Sequence, residues 1–362
     1  VYKRQGLALV NEINPNVAIV DIQMPGKSGI ETLKEIKAID SGIAVIMMTG
    51  YNTTNNAIEA MRYGAFDYIT KPFEITELEE IVDKALASNQ LSRKVTVSIS
   101  KEDLIEPAPN EDLMIGSSPE MVEIWKMVGK VADSDETILI SGESGTGKEL
   151  LARAIYNNSR RKDKPFLAIN CAALPETLLE SELFGHEKGS FTGADTCKIG
   201  KFEQCHGGTL FLDEISELSL LSQSKLLRVL EDQSFMRVGG NKEIKVDVRI
   251  IAATNRSLST EVKEGNFRLD LFYRLRIISF FLPPLRERAS DIPLLAGLFI
   301  KKIAEKTGKR IYGITPDALQ HLMTYNWEGN IRELKNAISS AVVFTKNETL
   351  QLEDFLRLDH LD

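Results

Sequence analysis

The octapeptide Gly142-Glu143-Ser144-Gly145-Thr146-Gly147-Lys148-Glu149 constrains this 362-residue chain more than any other segment. It follows an apolar run at 137–141 and precedes a helical pattern at 150–157. Glycines at this spacing let backbone N–H groups turn inward around a phosphate, and the helix N-terminus adds partial positive charge. A lysine at 148 then reaches the β- and γ-phosphates, so the segment reads as a phosphate-binding loop. Strand, loop and helix in this order require a parallel α/β sheet beneath them. The general pattern ends in Ser or Thr, whose hydroxyl ligates Mg²⁺; here the position is Glu149. The metal then has to be held by phosphates, water and a carboxylate from elsewhere.

That carboxylate is available. Thr209–Asp213 is an apolar run ending in the adjacent acids Asp213 and Glu214. Carboxyl ends of parallel strands are where α/β sheets bind ligands. Asp213 is placed to hold the Mg²⁺ shell, and Glu214 to orient and deprotonate an attacking water. A third run, 251–254, ends in Thr254 and is followed by Asn255, a polar pair placed to sense a γ-phosphate or position water.

Further strand candidates, Phe166–Asn170 and 277–282, fill out an α/β block at 113–285. Residues 286–362 show only helical patterns. Upstream, residues 1–87 alternate again, with buried-strand runs at Val17–Asp21 and 44–48 and amphipathic helices at 30–39 and 54–63. This predicts a second parallel sheet covered on both faces. Between the blocks, 88–112 is polar, carries Pro107 and Pro109, and reads as a linker. Alternation of Val95, Val97 and Ile99 predicts a short strand inside it.

Composition removes several classes. The 44 basic and 52 acidic residues leave a net charge of −8, which argues against a generally basic nucleic-acid binder without excluding a local patch. No run of 18 apolar residues and no basic-then-apolar leader occurs, which argues against a membrane span and against secretion. Cys171, Cys197 and Cys205 lack metal-ligand spacing and read as reduced thiols of a cytoplasmic protein. The four histidines, His186, His206, His321 and His360, show no ligand spacing and receive no catalytic role.

Five segments together resemble the AAA+ ATPases that activate sigma-54 RNA polymerase, the NtrC-type enhancer-binding proteins. They are the loop with Glu149, the stretch 182–194, the stretch 207–214, the stretch 267–275 and the Gly329-Asn330-Ile331-Arg332-Glu333-Leu334 segment. The resemblance implies that ATP sits between subunits of a homo-oligomer, a dimer when inactive and a hexameric or heptameric ring when active. It implies that Arg268 and Arg274 are arginine fingers acting on the neighbour's γ-phosphate and that Arg332 is the lid arginine. Asn170 matches the residue that holds the catalytic glutamate off water in the resting state. Gly189, Ser190, Phe191, Thr192, Gly193 and Ala194 match the loop that grips sigma-54, with Ser190 where the family has Ala. Asn330 and Glu333 read as a capping box that starts the helix carrying Arg332.

Residues 1–87 resemble part of a flavodoxin-like receiver domain, phosphorylated by a sensor histidine kinase. Asp21, followed by Met24-Pro25, matches the phosphoacceptor; Thr49, Tyr68 and Lys71 match the hydroxyl, the repacking aromatic and the lysine that contacts the acyl phosphate. Only 20 residues precede Asp21, so the family's first strand–helix–strand, with its acidic Mg²⁺ pair, is expected to be missing and phosphate uptake impaired. A helix-turn-helix domain is also expected to be missing, leaving DNA contact to a domain outside these residues. Two other classes stay open at this point. One is an AAA+ remodeller of other proteins, from which only 189–194 separates the leading reading. The other is a scaffold that binds ATP without turnover, kept alive by Glu149.

Overall fold

The computed structural model describes residues 10, 13, 15–24, 28–40, 43–50, 54–92, 114, 116, 118–191 and 194–355. It divides into two compact units, Val1–Leu113 with Met121–Asp133, and Met114–Glu120 with Ser134–Asp362.

In the first unit three strands, β1 (Val17–Asp21), β2 (Ala44–Thr49) and β3 (Asp67–Thr70), form a parallel sheet in that order. Val45, Ile46 and Met47 are fully buried, as a strand covered on both faces requires. Helix Gly29–Ile39 covers one face with Ile30, Leu33 and Ile36, against Val20 and Met47. Its start is fixed by a capping box, in which Ser28 N–H donates to Glu31 and Glu31 N–H donates to Ser28. Gly29 packs so closely on the Asp21 carbonyl that a Cβ there has no room. Ile81 and Ala85 of helix Ile75–Ser92 pack with Ile46 and Ile69 on the opposite face. The backbone of that helix runs to Ser92, so the stretch expected as linker from 88 begins as helix; the strand expected at 95–99 lies outside the described residues.

Residues 121–133, which take in helix Pro119–Val131 from Met121 onward and were expected in the second block, pack with the first unit. Gly129 sits directly on Met61 and on the Ile58 carbonyl. Lys126 Nζ lies 2.7 Å from Asp67, and Tyr68 Oη donates to the Val122 carbonyl at 3.3 Å.

The second unit is built on a five-stranded parallel sheet in the order β10-β4-β9-β6-β5, with β4 Ile138–Ser141, β5 Phe166–Asn170, β6 Thr209–Asp213, β9 Arg249–Thr254 and β10 Ile278–Phe281. Central strands β6 and β9 are buried almost throughout. An antiparallel pair, β7 (Ser234–Met236) and β8 (Glu243–Lys245), was not anticipated. Beyond β10, helices Ile292–Thr307, Pro316–Thr324 and Asn330–Phe344 close around buried Trp327, Ile338 and Phe355. The expectation of helix alone after 286 is corrected here: β11 (Gly313–Ile314) and β12 (Thr349–Leu350) pair in parallel. Two-residue strands are too short to show a periodicity of 2.

Candidate functional site

The loop 142–147 leaves β4 and enters helix Lys148–Asn157. Gly145 has φ +79°, and a Cβ on it would strike the Gly329 carbonyl, so this turn admits only glycine. Lys148 is buried, with Nζ donating to the carbonyls of Gly142 and Glu143 at 2.9 and 3.1 Å. Burial pulls its ammonium below the usual lysine range, while Glu214 and Asp213 oppose the shift. The Glu149 side chain forms an i, i+4 pair with Arg153 at 2.8 Å.

Asp213 ends β6 beside the loop. Burial raises its carboxyl above the usual range, against the opposing charge of Lys148. Glu214 lies 3.9 Å from Lys148 and occupies the left-handed region at φ +52°. A non-glycine residue there costs about 1–3 kcal/mol and is held by its surroundings. One clamp is the Asn255 backbone N–H, which donates to Glu214 Oε2 at 3.1 Å. Asn255 therefore meets Glu214 through its main chain, with Thr254 Oγ1 buried alongside against Ser216. The expected Asn170–Glu214 contact is corrected. The Asn170 amide donates to Asp213 Oδ2 at 3.2 Å, because β5 and β6 pair with Asn170 directly opposite Asp213.

The lid meets the loop through residues that the sequence reading did not single out. Arg286 forms a fork with Glu143 at 2.5 and 2.8 Å, and buried Arg288 donates to the Thr146 carbonyl at 2.9 Å. Arg286 and Asn330 pull the Glu143 carboxyl down to about 2. The capping box expected between Asn330 and Glu333 is not formed. Gly329 is the N-cap, its N–H donating to Glu333 at 2.9 Å, and Asn330 lies inside at φ +55°. The Asn330 side chain instead accepts from Leu285 N–H at 2.7 Å and donates to Glu143 and the Ser144 carbonyl. Arg332 then reaches Ser144 Oγ at 3.0 Å.

Gly142 to Lys148, Asp213, Glu214, Asn170, Asn255 and Arg332 thus converge on one edge of the sheet. The two expected fingers do not join them within this chain. Arg268 pairs with Asp270 and Ser224, and Arg274 donates to the Leu230 carbonyl at 2.8 Å. Of the loop 189–194, Gly189 and Ala194 are joined by a 2.8 Å backbone bond. Thr192 and Gly193 lie outside the described residues. In the first unit Lys71 Nζ lies 2.5 Å from Asp21, and Thr49 is buried at the end of the adjoining strand. Pro25 lies outside the described residues.

Three family models match in series: a response regulator receiver domain over 2–83, a sigma-54 interaction domain over 114–280 and an AAA+ ATPase lid domain over 286–358. The regulatory protein AtoC of Escherichia coli K12 is 49% identical over 351 residues, 97% of this chain and 76% of the relative. The chain belongs to the sigma-54-dependent response regulators. The DNA-binding transcriptional regulator NtrC of Salmonella typhimurium LT2 is 44% identical over 351 residues, 96% of this chain and 73% of that one. The crystal structure of NtrX from Brucella abortus in complex with ATP aligns with TM-score 0.64 and 36% identity, over 99% of this chain and 78% of that one. This sigma-54-dependent regulator is an AAA+ ATPase that activates transcription and carries a receiver domain. Among its described residues no helix is long and apolar enough to cross a membrane.

Proposed function

We propose that this regulator hydrolyses ATP at the 142–149 loop and spends the cycle on remodelling sigma-54 RNA polymerase through residues 189–194. The observation that carries the reading is Glu214, held in a strained backbone 3.9 Å from Lys148 at the carboxyl end of β6. The loop amides and Lys148 bind the phosphates, and Arg332 meets them from the lid. Glu214, anchored by Asn255 N–H, takes the proton of the attacking water. The donor set fits Mg²⁺: Asp213 supplies one carboxylate at the strand end, and this ion is usually held by one or two carboxylates, phosphates and waters. When bound, the ion neutralises charge on the phosphates.

Arg268 and Arg274 complete the site of a neighbouring subunit, which makes turnover a property of a ring. Their present partners support that role, since both guanidiniums are engaged away from the loop of their own chain. In the receiver, a sensor kinase phosphorylates Asp21. Lys71, now paired with Asp21, and Thr49 stabilise the added charge. The protein works in the cytoplasm, as a dimer that converts to the ring.

The test is ATP turnover against protein concentration, for the wild type and for Glu214→Gln. Specific activity that climbs steeply with concentration and vanishes in the variant supports the shared site. Activity that is flat with concentration, or that survives in the variant, overturns it.

A further inference from the structure

From the packing at the neck of the 189–194 loop we infer that His186 is a seat for Phe191, a positioning residue that favours the packed arrangement of Phe191 over its release. The inference rests on the reading of 189–194 as the sigma-54 contact.

His186 stands where the loop begins. Its backbone pairs with Lys198 on the returning arm in both directions, His186 N–H to Lys198 O at 3.0 Å and Lys198 N–H to His186 O at 2.9 Å. Next to it, Glu187 N–H donates to the Val238 carbonyl at 3.0 Å, so the histidine stands where the segment is joined to the residues that follow β7. The ring is buried, and Ser181 Oγ of helix Glu176–Phe184 lies 2.7 Å from its Nδ1, which fixes the ring plane. Against this fixed plane lies Phe191, ring centroids 5.0 Å apart and planes at 67°. That is the edge-to-face arrangement that aromatic pairs prefer.

A second contact belongs to the same packed arrangement. Ser190 packs on Gly239, where a Cβ would come within 2.5 Å of the Ser190 Cβ. Gly239 belongs to the turn between β7 and β8, at φ +74°. Phe191 and Ser190 thus each have a fitted partner on the body of the unit, and neither partner lies on the loop itself. Phe191 remains half-buried. A T-shaped aromatic pair biases a two-state balance by a factor of about 2–10, enough to favour the seated Phe191 and small enough to be reversed.

Helix Glu176–Phe184, which carries Ser181, follows β5, whose last residue Asn170 is bonded to Asp213 in the nucleotide site. In chain order the histidine therefore follows the strand that ends at the hydrolytic edge and precedes the loop. It touches neither nucleotide nor the reacting atoms, and its effect is exerted through Phe191.

The experiment uses trypsin on the full chain without nucleotide, reading cleavage after exposed Lys188 separately from cleavage elsewhere. His186→Ala is expected to speed cleavage after Lys188 by about 2- to 10-fold. His186→Phe, which keeps a ring, is expected to restore the wild-type rate. Phe191→Ala removes the other ring from a half-buried position and is expected to match His186→Ala. A wild-type rate at Lys188 in Phe191→Ala, or a His186→Phe as fast as His186→Ala, overturns the seat. Capture of purified sigma-54 without nucleotide is measured on the same proteins, and His186→Ala is expected to retain several-fold more. Faster cleavage with no change in capture keeps the seat and overturns the reading of Phe191 as the sigma-54 contact.

Discussion

The side-chain amide of Asn330 donates to the Glu143 carboxylate at 3.1 Å, so the helix that carries Arg332 begins on the phosphate-binding loop itself. The same amide donates to the Ser144 carbonyl, and its oxygen accepts from Leu285 N–H. One buried side chain therefore fixes the lid entry and the loop together. Asn330→Ala leaves the Leu285 N–H without its partner, at a cost of about 1–3 kcal/mol. The expected result is a lower denaturant midpoint and an ATP Kd raised by about 10-fold or more, measured by urea unfolding and nucleotide titration.

Glu143 provides a pH signature. Arg286 first, and Asn330 second, hold its carboxyl at about 2, below an ordinary value of 4.5. A group with a depressed folded pKa contributes stability that is present above the unfolded value and is lost as pH falls through the folded one. The stability difference between wild type and Glu143→Gln should therefore be constant above about pH 5 and shrink steadily as pH falls from 4.5 toward 2. The pair is partly exposed, so added salt should reduce the difference. Urea midpoints of both proteins across pH 3–7 check this.

In the first unit Gly129 lies against Met61 and the Ile58 carbonyl with no room for a side chain. Gly129→Leu should destabilise the packing of 121–133 by about 1–3 kcal/mol, as overpacking does. Hydrogen exchange at the amides of 121–133 and of β3 should accelerate together, because Lys126 and Val122 bind Asp67 and Tyr68 of that strand.

Much of the nucleotide edge was legible because it is built from local patterns. The run Thr209–Asp213 is buried along its length and stops at its acids, and the glycines of 142–147 sit where their spacing implies. Contacts distant in sequence were not legible. Arg286 and Glu143 are 143 positions apart, and nothing in either neighbourhood announces the other. Asn330 with Glu333 has the spacing of a capping box, but the left-handed backbone at 330 turns the amide inward and gives Glu333 to Gly329. Asn170 was read by family position, whereas strand register places it opposite Asp213. Helix Pro119–Val131 precedes the phosphate-loop strand in sequence, yet the side chains of 121–133 are complementary to Met61, Asp67 and Tyr68.

A hydrolytic site shared between subunits is tested most directly by mixing two inactive proteins. Glu214→Gln keeps both arginines and loses the base; Arg268→Ala keeps the base and loses one finger, an interaction worth up to about 10³–10⁵ in rate. Each alone should turn over ATP at a small fraction of the wild-type rate. Mixed rings pair an intact Glu214 with an intact neighbouring Arg268 at some interfaces, so the mixture should recover activity well above the sum of its parents. Activity equal to that sum, or a fully active Arg268→Ala protein, would contradict catalysis across the subunit boundary.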